Sequence, residues 1–251
     1  MRLGALLGPV VDATAPHALP AQARELVAAG YDSLWSAHAI GRGFMLTDPL
    51  IALTAAASVT EHVEIGTAVL QVPLYRPGEL AHRIFSLMQI CGPRFSFGVG
   101  AGSTPNDFTA AGADYGSRFR TFEATLVALR ALLTEGRYGP TELTPWPVLS
   151  GGPPILLGSW GSGVERAASA FDGWIASAAY RTTDQVIDAL ARYRDAGGKR
   201  AIVSTIRLDA RTDLGALRDQ LTRFAHAGFD DAIVMFLPDA PAPERVRMLV
   251  A

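Results

Sequence analysis

Ile155-Leu156-Leu157-Gly158-Ser159-Trp160-Gly161-Ser162-Gly163-Val164-Glu165-Arg166-Ala167-Ala168 reads as a strand, a glycine-serine turn and the opening of a helix. Its apolar start has no polar alternation, which suits a strand covered on both faces, as in a parallel sheet. Parallel strands need a long crossover, and the helix after the turn supplies one. The same unit recurs along the whole chain. Strand candidates lie at 2–8, 31–36, 63–69, 94–100, 155–159, 173–178, 201–208 and 231–237. Helix candidates lie at 19–29, 48–60, 78–91, 117–135, 162–171, 183–196, 213–227 and 242–250. Eight strand-then-helix units predict an α/β fold, a single (β/α)8 TIM barrel domain over residues 1–251.

Local signals agree with this rhythm. Asp48-Pro49 offers an N-cap followed by proline at the first helical position, and Thr182 or Thr183 can cap the helix after it. Gly30, Gly197-Gly198 and Gly228 stand between a helix end and the next strand, where a left-handed residue is wanted. Residues 136–154 break the pattern with Pro140, Pro145, Pro147, Pro153 and Pro154 among four glycines. No regular helix or central strand is expected there, so the segment reads as a short inserted loop before the fifth strand.

Composition removes several classes of function. Of 251 residues 49% are hydrophobic, so core size is not limiting. The balance of 22 basic against 24 acidic side chains, with no basic block, leaves nothing to neutralise a phosphate backbone, and no nucleic acid partner is expected. Cys91 is alone, so no internal disulfide forms, and no Cys/His cluster suggests a metal site. That usage suits a reducing cytoplasm. The apolar run Leu3 to Val11 is broken by Gly8-Pro9 and ends at Asp12, which reads as a buried first strand and not a signal peptide. No stretch approaches the roughly 20 apolar residues of a membrane span.

In such a barrel the reactive groups stand at the carboxyl ends of the strands. The first end carries Gly8-Pro9 and the second Ser36-Ala37-His38. His38 is the one histidine of five so placed; His17, His62, His82 and His226 fall on helices or bottom-face turns. Its titration range suits general acid or base work, and a hydrogen bond to the next loop is the other reading. After the third strand, Thr67 and Gln71 can either bond a planar ligand or serve the fold. The fourth strand end, Gly98-Val99-Gly100-Ala101-Gly102-Ser103-Thr104-Pro105-Asn106-Asp107, approaches a dinucleotide fingerprint, but Ser103 takes the third glycine position. Pro105 also stands against the immediate helix that such a site requires. A strand end kept bare for a flat ring fits better, with Asn106 and Asp107 on the rim. Asp107 is either a candidate acid or a capping or solvated carboxylate. At the fifth strand end, turn N–H groups and a helix start make an anion site without a lysine, although a tight ligand-free loop uses the same glycines.

Taken in order, the segments Gly30 to His38, Asp48-Pro49-Leu50, Val63 to Val69, Arg94 to Gly102, Gly112 with Arg118 and Glu123, and Pro154 to Gly161 followed by Phe171 to Ile175 resemble the luciferase-like monooxygenase superfamily. The resemblance covers most of the chain. It implies FMN or the deazaflavin coenzyme F420 across the top of the barrel, with the ring near Thr67, Gly100, Gly102 and Ser103. The phosphate would be held by Gly158, Ser159, Trp160 and Gly161. His38 matches a histidine near the ring, Asp107 an acidic position used as a proton donor, and a non-prolyl cis peptide is implied within Thr67 to Leu70. Relatives carry a larger insertion as pocket wall and lid, so the short 136–154 segment implies a more open top face. Ser159-Trp160 replaces the smaller pair usual in the phosphate clasp, so that Trp160 is set to cover the ring or the mouth.

The function so implied is a flavin- or deazaflavin-dependent oxidoreductase acting on a small organic substrate, by hydride transfer or flavin-mediated oxygenation. A non-catalytic flavin- or deazaflavin-binding protein is the alternative, and the pair His38 and Asp107 favours chemistry. A metal-dependent hydrolase lacks clustered ligands at strand ends. The helix from Pro49 to Val59 has almost no charged face, which predicts a homodimer; a separate flavin reductase is a further expected partner, and a membrane is not.

Overall fold

The structure is a computed structural model that describes residues 1–8 and 17–250. The end of the first apolar run, from Pro9 to Asp12, lies outside the described residues. The elements are β1 (Arg2–Leu6), α1 (Ala18–Ala28), β2 (Ser33–Ser36), α2 (Pro49–Ala57), β3 (Glu64–Thr67), β4 (Leu70–Gln71), α3 (Pro77–Cys91), β5 (Phe95–Gly100), α4 (Pro105–Ala110) and α5 (Arg118–Glu135). They continue as β6 (Arg137–Tyr138), β7 (Thr141–Glu142), β8 (Ile155–Gly158), α6 (Gly163–Ala170), β9 (Gly173–Ser177), α7 (Thr183–Asp195), β10 (Arg200–Leu208), α8 (Leu214–Ala227), β11 (Asp231–Phe236) and α9 (Pro243–Arg247).

Strands β1, β2, β3, β5, β8, β9, β10 and β11 pair in that order, all parallel. The pairing of β11 with β1, Arg2 opposite Asp231, closes the ring, so the expected eight-stranded barrel is what forms. The short β4 continues the line of β3 after a break and pairs with Val99 and Gly100. Asp48 caps α2 through Oδ1, and Thr182 with Gln185 forms a capping box at α7. Gly228, at φ 100°, ends α8 in the left-handed conformation that favours glycine.

Alternation along the strands sorts the side chains into two cores. The outer one packs strands against helices. The inner one, in the lumen, is built from Leu6, Trp35, Ala68, Leu156, Ile175, Ile202 and Ile233. Trp35 is the widest of these, and a Cβ on Gly4 or Gly66 would overlap its ring. Its Nε1 donates to Ser33 Oγ at 2.8 Å, which settles its one polar atom.

Below this layer, charge fills the barrel floor. Arg200 reaches Glu64 at 2.8 Å and Asp231 at 3.0 Å, Arg2 donates to Glu64 at 2.7 Å and pairs in charge with Asp231 at 2.6 Å, and Ser96 donates to Glu64 at 2.5 Å. Burial pushes the Asp231 carboxyl up, against the pull of Arg200 and Arg2. For Glu64 burial also works against the charge, but Arg200, Ser96 and Arg2 outweigh it.

Two local expectations need correction. Pro105 starts helix α4 where it was expected to prevent one, because proline is tolerated at the first helical position. Residues 136–154 are not wholly irregular: β6 and β7 form a small antiparallel hairpin, Leu149 is buried, and the Gly151 N–H donates to Leu133 O at 3.0 Å. The segment leans on the outer wall beside α3 and α5. Among the described residues no helix is long and apolar enough to cross a membrane.

Removing Arg200 leaves Asp231 buried beside Glu64 with one cation instead of two. Arg200→Ala is expected to cost about 3–5 kcal/mol in denaturant unfolding, whereas an exposed Arg83→Ala costs less than about 0.5 kcal/mol. Equal losses would mean that the floor is solvated.

Candidate functional site

The connection from β2 to α2, residues 37–48, lies over the mouth. It turns at Gly41 and Gly43, at φ 75° and 82°, with Arg42 between them. Arg42 Nε stands 2.9 and 3.1 Å from the two Asp107 oxygens, and its Nη2 bonds Oδ2 as well. The Ile40 N–H donates to Asp107 Oδ1 at 3.1 Å and Gln71 Nε2 to Oδ2 at 2.7 Å. Asp107 is fully buried. Burial works against its charge, but the bonds from Arg42, Gln71 and Ile40, with the Arg42 charge, hold the carboxyl below its usual range. Asp107 is therefore not a rim acid. An ionised carboxylate with four donors on it has no proton to give, and it pins the loop.

The 37–48 connection carries Ile40, Phe44 and Met45 as exposed apolar groups, and Tyr180, in the connection after β9, is exposed as well.

His38 sits beneath this loop. Its N–H donates to Val69 O at 3.3 Å, its Nδ1 accepts from the Gln71 N–H at 3.4 Å, and its ring packs 5.5 Å from that of Tyr75. The Tyr75 hydroxyl donates to Asp48 Oδ2 at 3.2 Å. Burial pushes the His38 pKa down, partly offset by Asp48 and Asp107. The ring is neutral near pH 7.

The glycines of the strand ends make room for protein. A Cβ on Gly100 would meet Val69 Cγ2 at 2.8 Å and one on Gly158 Val69 Cγ1 at 2.7 Å, so these two flank the Val69 side chain. A Cβ on Gly102 would meet Gln71 Oε1 at 2.5 Å and Phe108 at 2.7 Å. The idea of a strand end kept bare for a ring thus needs correction at these positions. Thr67 is buried, with its hydroxyl spent on Gly98 O at 2.7 Å. The cis peptide lies between Ala68 and Val69, inside the expected stretch. Ser103 is exposed, and its carbonyl accepts from Tyr115.

Between β8 and α6 the picture is different. Ser159 Oγ donates to Gly163 O at 2.7 Å and Ser159 O accepts from Trp174 Nε1, so this residue serves the turn. Trp160 packs edge-on to Trp174 and lies under the Arg181 guanidinium, 4.8 Å away. The N–H groups of Trp160, Gly161 and Ser162 donate to no described protein group. Gly161 is exposed at φ 64°, with nothing near its missing Cβ. Among the described residues no three His, Cys, Asp or Glu side chains stand together as metal ligands.

Sequence reasoning did not identify Arg42, Ile40, Tyr75 or Asp48 as parts of this site. The Gly41-Arg42-Gly43 triplet, a charge between two permissive residues just past a strand end, was the available signal.

The family model described as luciferase-like monooxygenase matches residues 1–235. The 4-hydroxyprotoasukamycin monooxygenase of Streptomyces nodosus subsp. asukaensis is 34% identical over 119 residues, which are 47% of this chain and 32% of that protein, so the match spans about a third of that relative. An uncharacterized protein of Mycobacterium tuberculosis is 28% identical over 208 residues, covering 78% of this chain and 72% of that one. Among solved structures, monooxygenase RslO1 from Streptomyces bottropensis superposes with a TM-score of 0.81 at 21% identity, over 100% of this chain and 97% of that chain. An F420-dependent secondary alcohol dehydrogenase, in complex with an F420-acetone adduct, gives 0.74 at 16% identity over 99% and 97%. The oxygenating constituent of 3,6-diketocamphane monooxygenase from Pseudomonas putida, in complex with FMN, gives 0.68 at 18% identity over 87% and 70%. At these identities the structural likeness carries the fold alone.

Acid should weaken the mouth in two steps. His38 has a lowered pKa, so the unfolded chain binds its proton first and stability falls as pH drops through about 6.5. The contribution of Asp107 is complete above about 3.9, its unfolded value, and disappears as pH falls toward its lower folded pKa. Melting curves should show Asp107→Asn about 1–3 kcal/mol less stable at pH 7 and less acid-sensitive below pH 4. An unchanged acid slope would mean that Asp107 is not ionised in the fold.

Proposed function

This chain belongs to the luciferase-like monooxygenase family, and from that premise we propose an oxidoreductase that holds FMN or coenzyme F420 at the carboxyl face of its barrel and acts on a small organic substrate. The observation that carries the proposal is the run of three unpartnered N–H groups at Trp160, Gly161 and Ser162, beside the Arg181 guanidinium. Successive backbone donors next to a cation suit the phosphate that both cofactors carry. Gly158 and Ser159 shape this turn from within. The ring would lie toward Val69 and His38, on the side closed by the 37–48 connection. When bound, the cofactor supplies either a hydride or the activation of oxygen. The chain's own residues bind, orient and exclude water: the turn after β8 takes the anion, neutral His38 offers a hydrogen bond, and Ile40, Phe44, Met45 and Tyr180 give an apolar rim. With FMN, a separate flavin reductase would supply the reduced form. The occupied Asp107 carboxylate removes one candidate proton donor, and that observation favours the alternative of a non-catalytic binder.

Absorbance titration with each cofactor, followed by a turnover assay, tests the reading. Gly161→Asn should keep affinity within a few-fold, because asparagine tolerates the left-handed conformation. Gly161→Asp should weaken it by about tenfold or more, near 1.4 kcal/mol, by setting a like charge among the donors. Equal affinity in the two variants would put the phosphate elsewhere. Tight binding without turnover of any donor would support the carrier reading.

A homodimer through α2 is part of the same proposal. That helix buries Leu50, Leu53 and Ala56 against the barrel and leaves Ile51 64% exposed on a face without charge. Light scattering should give about twice the 26.6 kDa chain mass, with Ile51→Glu returning the monomer. A monomer for the unaltered chain at micromolar concentration would refute this part.

A further inference from the structure

We infer that the Gln71 backbone N–H fixes the His38 imidazole in one tautomer, with its proton on Nε2 and that edge of the ring free for a ligand, and that Arg42, Asp107 and the Gln71 side chain are positioning residues that keep this N–H against the ring. What the ligand is rests on the function proposed above; the tautomer does not.

A backbone N–H can only donate, and that of Gln71 meets His38 Nδ1 at 3.4 Å. Nδ1 must then be the acceptor, so a neutral ring carries its proton on Nε2. No described protein group bonds Nε2. The same Gln71 grips His38 a second time, from its side-chain amide to His38 O at 3.1 Å. The other hydrogen of that amide goes to Asp107 Oδ2 at 2.7 Å.

The amide orientation is imposed, and its cost is visible. Gln71 Oε1 is buried without a partner. A flipped amide would relieve it but would set Oε1 against an ionised carboxylate, two acceptors facing each other. The His38 carbonyl and the ionised Asp107 carboxylate therefore set the Gln71 orientation together, and Arg42 keeps Asp107 ionised by bonding both oxygens. Were Asp107 protonated, it could donate to Oε1 of a turned amide, and only the bond to His38 O would still oppose the turn. Other groups near His38 do not compete for Nδ1. The Tyr75 ring packs on the imidazole while its hydroxyl is turned to Asp48, and Asp48 Oδ1 is spent on the α2 cap. Asp48 and Asp107 favour the charged ring; Arg42 and burial oppose it.

Long-range proton–nitrogen spectra of protein labelled at histidine, without cofactor and at pH 7.5, read the tautomer directly. The unaltered protein is expected to show His38 with Nδ1 bare and Nε2 protonated. Gln71→Met keeps the length of the side chain and removes the amide; Asp107→Asn and Arg42→Ala remove the charge that orients it. Each is expected to give a mixture of tautomers in a folded protein. Arg42 is only partly buried, so Arg42→Ala carries the test if Gln71→Met does not fold. A proton on Nδ1 in the unaltered protein, or a single Nε2 tautomer in every folded variant, would overturn the inference. Failure to bind FMN or F420 with this pattern intact would remove the proposed function and leave the positioning of His38 standing. With a proven substrate, Gln71→Met should lose up to about 10²-fold in kcat with KM within a few-fold.

Discussion

Closing eight parallel strands into a ring removes every sheet edge but forces half of the strand side chains into one narrow lumen. The rest of the structure follows from how that lumen is filled. At the floor, Arg2 and Arg200 alternate with Glu64 and Asp231, so that charges contributed by different strands neutralise one another. In the middle, one indole occupies the space that Gly4 and Gly66 leave. Above it Val69 sits between Gly100 and Gly158. Large and small residues on different strands thus interdigitate, as close packing requires. The floor has little left to offer a ligand, and free donors collect at the carboxyl ends of the strands.

The mouth depends on a second constraint. A carboxylate without solvent contact has to be supplied with donors, and Asp107, on α4, draws them from two other segments: Ile40 and Arg42 in the loop after β2, and Gln71 on β4. One buried charge thereby ties together segments that carry the apolar rim, the His38 ring and the loop after β5. The turn after β8 is independent of this knot: it is held by Ser159, Trp160 and Trp174, and its unpartnered N–H groups are set by a different part of the fold from the Asp107 network.

Residues 136–154 brace the outer wall beside α3 and α5. The 37–48 connection is tied down by the Asp107 carboxylate and carries the exposed apolar side chains Ile40, Phe44 and Met45.

The strand and helix units, their order and the caps at Asp48, Thr182 and Gly228 were legible in the sequence, because periodicity and capping are local properties of the chain. So was the position of His38 at a strand end, which follows from the unit alone. The family resemblance drew on the same local segments and extended them to a cofactor. What the strand-end glycines accommodate was not legible. Gly100 and Gly158 looked bare in sequence, yet both lie against Val69, which reaches them only because β3, β5 and β8 are neighbours in the closed sheet. Asp107 could be an acid, a cap or a solvated group until its partner was known. That partner, Arg42, lies 65 residues away, and the two meet only once β2 and β5 flank β3. Which charges neutralise one another is a long-range question answered by topology, and the protonation state of the mouth is set with it.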